Sequence, residues 1–173
     1  MQGRNRYFDS YAKPLLTGES CVFISHQKND AVAARKIADY LNKAGIDVYF
    51  DEYDGSINRA DPKSVVAAIK RGLDASSHLL VLLSSNALAS TWVPWEVGYG
   101  YHKQVVGLTL KEVAYTTLPE YLQVVKMVKG IKSLNEFLSG LTGIGQESLI
   151  NENRITRYYS AYHPLDGILE SAL

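Results

Sequence analysis

Apolar residues along this chain follow two alternating patterns. Four short, unbroken runs have the length and density of buried strands: Cys21-Val22-Phe23-Ile24-Ser25, Ile46 to Phe50 (IDVYF), His78 to Ser84 (HLLVLLS) and Val105 to Leu110. A weaker fifth lies in VVKMVKG, 124–130. Between them the apolar positions switch to helical spacing. Ala34, Ile37, Ala38 and Leu41 share one face, as do Val65, Val66, Ile69 and Leu73, and then Leu134, Phe137, Leu138 and Leu141. The punctuation agrees. Asp30 stands where a helix N-cap belongs, Gly45 where a C-terminal stop belongs, and Asp61-Pro62 pairs an N-cap with proline at the first helical position. Ser133 with Glu136 has capping-box spacing, and Gly140, Gly143 and Gly145 are expected to interrupt regular structure after it.

Strands alternating with helices predict an α/β fold, a central parallel sheet of about five strands with helices on both faces. The unalternating HLLVLLS run suits a central strand covered on both sides. Ligands of such sheets bind beyond the carboxyl ends of the strands, so segments 25–30, 51–62 and 84–96 are expected to converge. The second of these, DEYDGSINRADP, is long for a connection in a compact domain, and long loops there tend to carry function. Three regions are expected: an irregular N-terminal extension over 1–19, a domain over 20–141, and a polar, tyrosine-rich C-terminal extension over 142–173 that packs on it.

Composition removes several classes. Eighteen basic and eighteen acidic residues cancel, which argues against a nucleic-acid binder. The single cysteine, Cys21, excludes an internal disulfide and a Cys-based zinc site, and the four histidines lack metal-ligand spacing. No stretch approaches the roughly 18 apolar residues of a membrane span. The polar start MQGRNRYFDSYAKP has no apolar signal core, so the expectation is a cytoplasmic protein with no membrane partner.

There is no GxGxxG, no GxxxxGK[ST] and no GxSxG. The chemistry on offer is WVPWE, where Trp92, Pro94, Trp95 and Glu96 crowd the point at which a buried strand hands over to a helix. Pro94 fits a helix's first turn. The plain reading makes Glu96 a third-position helix residue favoured by the dipole, and the tryptophans core. The other reading makes Glu96 a ligand carboxylate and Trp92 a platform for a base, with Trp95 packing beneath the helix.

VFISHQKND, a helix, IDVYFDEYD, a helix ending with Ile69, Gly72, Leu73 and Ser76, and then LLVLLSSNALAST-WVPWE form an ordered set that resembles a TIR (Toll/interleukin-1 receptor) domain over about residues 20–141. The resemblance implies a flavodoxin-like, three-layer fold. WVPWE is similar to the W-V-x-x-E pattern of NAD-cleaving TIR domains, which include bacterial defence proteins and the animal axon-degeneration enzyme. That similarity assigns catalysis to Glu96. It further implies substrate contacts from Phe23 at the end of the first strand, from His26, Gln27 and Lys28, from Ser84 and Ser85, and from Trp92. The plain alternatives are core for Phe23 and helix capping for Ser84 and Ser85. The DEYDGSI segment corresponds to the family's BB loop, so Asp51, Tyr53 and Asp54 are expected to complete a neighbouring subunit's site. The chain lacks the paired arginines of the animal enzyme and the Arg-Asp…Pro-Gly signature of receptor and adaptor TIRs.

The function so implied is cleavage of the nicotinamide–ribosyl bond of NAD+, with NAD+ as substrate and no cofactor or metal. Similarity to standalone bacterial TIR proteins of Thoeris-type antiphage systems implies a product, ADP-ribose, a cyclic isomer or a conjugate, that activates a separate effector protein. It also implies a homo-oligomer built through TIR–TIR contacts. The alternative is a non-enzymatic TIR adaptor acting through those contacts, and a third reading is a nucleoside deoxyribosyltransferase-like enzyme. Retention of Glu96 with Trp92 favours the NAD-cleaving enzyme.

Overall fold

A computed structural model describes residues 20–50, 57–111, 113 and 118–172 of the chain. Strands β1 (Cys21–Ser25), β2 (Asp47–Tyr49), β3 (His78–Leu83), β4 (Gln104–Thr109) and β5 (Lys126–Val128) form one sheet, ordered β2-β1-β3-β4-β5 and parallel throughout. Helices α1 (Ala31–Ala44) and α6 (Ile131–Thr142) cover one face; α2 (Pro62–Asp74) and α4 (Trp92–Gly100) cover the other. This is the parallel sheet covered on both faces that the strand pattern predicts, in the flavodoxin-like form that the family resemblance implies. The chain leaves β1 toward one edge and takes up β3 on β1's other side, so the strand order reverses between β1 and β3. A crevice at the carboxyl ends of those two strands follows from that topology.

Both faces of β1 and β3 are buried, which explains their unbroken apolar runs. Val22, Ile24, Leu80 and Leu82 meet α1 and α6, while Phe23, Leu79, Val81 and Leu83 meet α2 and α4. Two glycines let helices approach closely. A Cβ on Gly72 would lie 2.3 Å from the Tyr49 ring, and one on Gly100 would lie 2.8 Å from Leu79 Cδ2. Gly72 of the Ile-x-x-Gly-Leu-x-x-Ser ending is therefore a packing residue. Ser76 closes that turn by donating to the Gly72 carbonyl at 2.7 Å.

Most caps stand as the sequence places them. The Asp61 carboxylate accepts from the backbone N–H groups of Lys63 and Ser64 at 3.0 and 3.3 Å, and Gly45 takes the left-handed conformation at φ 96°. Three points differ. Asp30 precedes α1 but makes no capping bond from its side chain, because its carboxylate is used across the sheet edge. Helix α6 starts at Ile131, two residues before Ser133, whose hydroxyl reaches back to accept from Lys129 N–H at 2.9 Å. Gly140 lies inside α6, which stops only at Gly143 with φ 66°. An interior helical glycine costs about 1 kcal/mol, and the burial of Leu134 and Leu138 on the same helix outweighs it. The short helices α3 (Ser85–Leu88), α5 (Glu120–Gln123) and α7 (Gln146–Asn151) give no readable period in the sequence.

Residues beyond Gly143 cover the outer side of α1 and α6, burying Leu149, Ile155, Leu165 and Leu169 in the same core cluster. Tyr40 of α1 anchors them. Its hydroxyl donates to Asn135 Oδ1 at 2.8 Å and accepts from Thr156 N–H at 2.9 Å, and burial pushes the phenol up to about 12. The Arg154 guanidinium donates to the Ala44 carbonyl at the end of α1. Backbone bonds from Ile131 N–H to the Glu170 carbonyl (2.8 Å) and from Lys111 N–H to the Ile168 carbonyl (2.9 Å) complete the attachment.

Candidate functional site at the β1/β3 crevice

Helix α4 resolves the crowding in WVPWE. It begins at Trp92, and the Ser90 hydroxyl accepts from the N–H groups of Trp92 and Val93 at 3.1 and 3.4 Å. Pro94 is the third helical residue, where no intrahelical N–H donor is required, so its missing proton costs nothing. Glu96 is the fifth residue, two positions deeper than the third, first-turn position that the sequence suggests. It falls on the inward face with Val93, Val97 and Gly100. With Gly100 allowing α4 to lie close on β3, the Glu96 carboxylate is carried to the end of β1. There the Ser25 hydroxyl donates to Glu96 Oε2. Ser25 is 1% exposed and Glu96 7%.

A second carboxylate occupies the same rim. Asp30, the last residue of a single 3-10 turn (Lys28–Asp30), is 8% exposed and accepts from the Ser84 hydroxyl on Oδ2 and from Asn86 Nδ2 on Oδ1, the latter at 2.7 Å. The Ser84 hydroxyl also accepts from Ala87 N–H at 2.9 Å, so both its donor and its acceptor capacity face inward. Thus α4 is tied to the end of β1, and the segment after β1 is tied to the end of β3. Each tie is a serine on a carboxylate.

The residues the sequence singles out divide by exposure. Trp92, the first residue of α4 and one helical turn before Glu96, is 43% exposed. Its ring meets Trp95 edge-on at 5.9 Å, and Trp95 stacks on Tyr99 at 5.6 Å, so Trp95 belongs to an aromatic row along α4. Lys28 and Ser85 are exposed. His26 is half-buried and leans on the Phe50 ring at 4.8 Å. Gln27 turns its side-chain carbonyl back to accept from Asn29 N–H at 2.6 Å, capping the 3-10 turn. Phe23 is 2% exposed and stacked on Tyr49 at 5.4 Å, and Ser84 is fully buried, so neither presents a surface to the crevice in this conformation. Asp51, Tyr53 and Asp54 lie outside the described residues.

Three rim residues escape the sequence reading: Ser25, Asp30 and Asn86. One signal for Ser25 was available. It ends a strand on the face where Phe23 is apolar, and a buried hydroxyl there needs a partner. Asp30 is disguised because its position also makes a good N-cap. Among the described residues no group of three His, Cys, Asp or Glu side chains is placed to hold a metal ion. What the rim offers is two buried carboxylates, Asp30 held on both oxygens by Ser84 and Asn86 and Glu96 held on Oε2 by Ser25, with the exposed Trp92 indole one helical turn before Glu96. That combination suits stabilising positive charge on a bound sugar better than a proton relay between two acids.

The TIR domain family profile matches residues 22–137. A Bacillus cereus (strain MSX-D12) protein named as a probable 3' cyclic ADP-D-ribose synthase, ThsB', is 30% identical over 98 residues, 54% of this chain and 51% of its own length. The chain thus spans about half the length of that curated relative.

Proposed function

Since the chain belongs to the TIR domain family, we propose that it cleaves the nicotinamide–ribosyl bond of NAD+ at the β1/β3 crevice and forms an ADP-ribose-derived product. The observation that carries the proposal is the buried Glu96 carboxylate, held by Ser25 at the carboxyl end of β1 with Trp92 exposed one helical turn before it. As the N-glycosidic bond breaks, its electron pair passes to the pyridinium nitrogen and nicotinamide leaves as a neutral molecule. The leaving group therefore needs no general acid, unlike the alkoxide of an ordinary glycoside. Positive charge develops at the ribosyl carbon. An ionised Glu96, accepting hydrogen bonds from ribose hydroxyls, stabilises it. Trp92 stacks on the nicotinamide or adenine ring and limits water. Capture of the ribosyl cation by water gives ADP-ribose and a proton; capture by an atom of the same molecule gives a cyclic isomer.

The relative's name as a cyclic ADP-ribose synthase supports the choice of substrate and favours the cyclic outcome. NAD+ is consumed as substrate in this scheme, and no bound cofactor takes part. The product serves as a signal to a separate effector in antiphage defence, and TIR–TIR contacts between copies assemble the active form. To test the reaction, wild type and Glu96→Ala are incubated with NAD+ and the products are identified by mass spectrometry. Nicotinamide with ADP-ribose or a cyclic isomer is expected from wild type alone. Failure to detect any Glu96-dependent product, with the protein assembled into oligomers, would leave the adaptor reading in its place.

A further inference from the structure

The tie between Ser25 and Glu96 raises the question of why a hydroxyl ends the inner face of a core strand. Cys21, Phe23 and Ser25 point the same way along β1, and Phe23 is packed among apolar side chains. An apolar residue would be the ordinary occupant of a position 1% exposed. A buried carboxylate is disfavoured as an anion unless donors compensate it. A neutral carboxylic acid at this site would lose the charge that the proposed reaction requires. Asp30, five residues further along the chain than Ser25, shows the same solution, since a strand-terminal serine, Ser84, donates to it. Asp30 is also bound by Asn86 of α3, and Glu96 rides on the helix that begins at the exposed Trp92.

We propose that Ser25 is a positioning residue for the reaction: its hydroxyl, donating to Glu96 Oε2 from the end of β1, fixes the rotamer of the carboxylate and holds it ionised. The inference rests on the reading of Glu96 as the catalytic group. Among the described residues the other titratable groups on the elements around the crevice are these. Helix α4 carries only Tyr99 besides Glu96, and Tyr99 engages Asp74 and Lys70 of α2. The remaining charged groups of α2, Lys63 and Arg71, are exposed. Strand β1 has Cys21 at its opposite end, and β3 has His78 at its opposite end. At the rim itself are His26, Lys28 and Asp30, the first leaning on Phe50 and the last held by Ser84 and Asn86.

The test compares wild type with Ser25→Ala by two readouts. The first needs no substrate: the side-chain carboxyl carbon of Glu96 is titrated by NMR in ¹³C-glutamate-labelled protein, with Glu96→Gln identifying the signal. In Ser25→Ala the signal is expected to titrate at higher pH than in wild type. The second is the pH–rate profile of nicotinamide release. Its acid limb is expected to move the same way, with kcat falling roughly tenfold, the worth of one hydrogen bond to a charged group, and KM for NAD+ little changed. Ser25→Thr, which keeps the hydroxyl, is expected to restore the titration and the limb. Adding Ser25→Ala to Glu96→Gln should produce no further loss of rate. An unshifted Glu96 titration in a folded Ser25→Ala protein overturns the inference, whatever the activity shows. A full rate in Glu96→Gln instead overturns the functional reading beneath it, and leaves the NMR result to stand by itself.

Discussion

Glu96 shows how little of a residue's role lies in its sequence position alone. Taken by itself it is an acidic residue near a helix start, an ordinary arrangement. Its neighbours change that: Pro94 and the Ser90 hydroxyl set where α4 begins, Gly100 sets how close it lies to β3, and the fifth helical position then faces inward. The sequence shows the aromatic–carboxylate cluster but not the depth, because helix starts are fixed by capping bonds that several adjacent polar residues can supply. Trp92 is the complementary case, exposed where a large apolar ring is normally buried. Its replacement tests the role in substrate stacking. Trp92→Ala is expected to raise KM for NAD+ about tenfold, in the range measured when aromatic partners of bases are removed, with the melting temperature nearly unchanged. An unaltered KM would remove Trp92 from the site.

Among the elements, strands β1 and β3 and helices α1 and α2 are legible because period, caps and stop signals agree. IDVYF and the Ile-x-x-Gly-Leu-x-x-Ser ending turn out to be two halves of one contact. Tyr49 stacks on Phe23 and donates to the Ala68 carbonyl at 3.3 Å, and α2 passes over its ring at Gly72. Gly72→Ala forces a methyl group into that ring, which is buried and stacked on Phe23. The expected cost is about 1–3 kcal/mol, typical of overpacking, read as a melting temperature lower by roughly 3–10 °C for a domain of this size. A melting temperature equal to wild type would show that α2 can shift outward without loss. Elements of four to six residues, α3, α5 and α7, are not legible, since they span too few turns to show a period. Helix α6 is legible in type but not in its ends. Ser133 offers the spacing of a cap, yet the backbone turns at Gly130.

At the scale of the whole molecule, the strand pattern carries the parallel sheet, and the sheet's order places the crevice between β1 and β3. What the pattern cannot convey is the pairing of side chains distant in sequence, such as Ser25 with Glu96 or Ser84 with Asp30. The attachment of the C-terminal segment is of the same kind. His163 sits 4% exposed, accepting from Leu165 N–H on Nδ1 at 3.1 Å with Nε2 3.3 Å from the Tyr40 hydroxyl. A second proton would fall on Nδ1 against that N–H. Burial lowers the pKa of His163 below its ordinary 6.5, outweighing the Thr156 carbonyl and Asp166. Burial lowers His78 as well. A histidine depressed in the folded state binds its proton later than the unfolded chain does. The stability is therefore complete above pH 6.5 and is lost as pH falls below it toward the folded values. The melting temperature is expected to drop between about pH 7 and pH 5, and less steeply in His163→Gln. Equal slopes would mean that His163 is not a source of the acid sensitivity.

The most direct measurement is the initial rate of nicotinamide release from NAD+ by Glu96→Gln beside wild type, at equal oligomeric state and with melting temperatures in hand. Gln keeps the size of Glu96, removes its charge and replaces one acceptor oxygen by an NH2 donor. A rate at least a hundredfold lower, the loss that follows removal of a transition-state charge stabiliser, with the fold intact, is the expected result. NAD+ turnover by Glu96→Gln at the wild-type rate would contradict it.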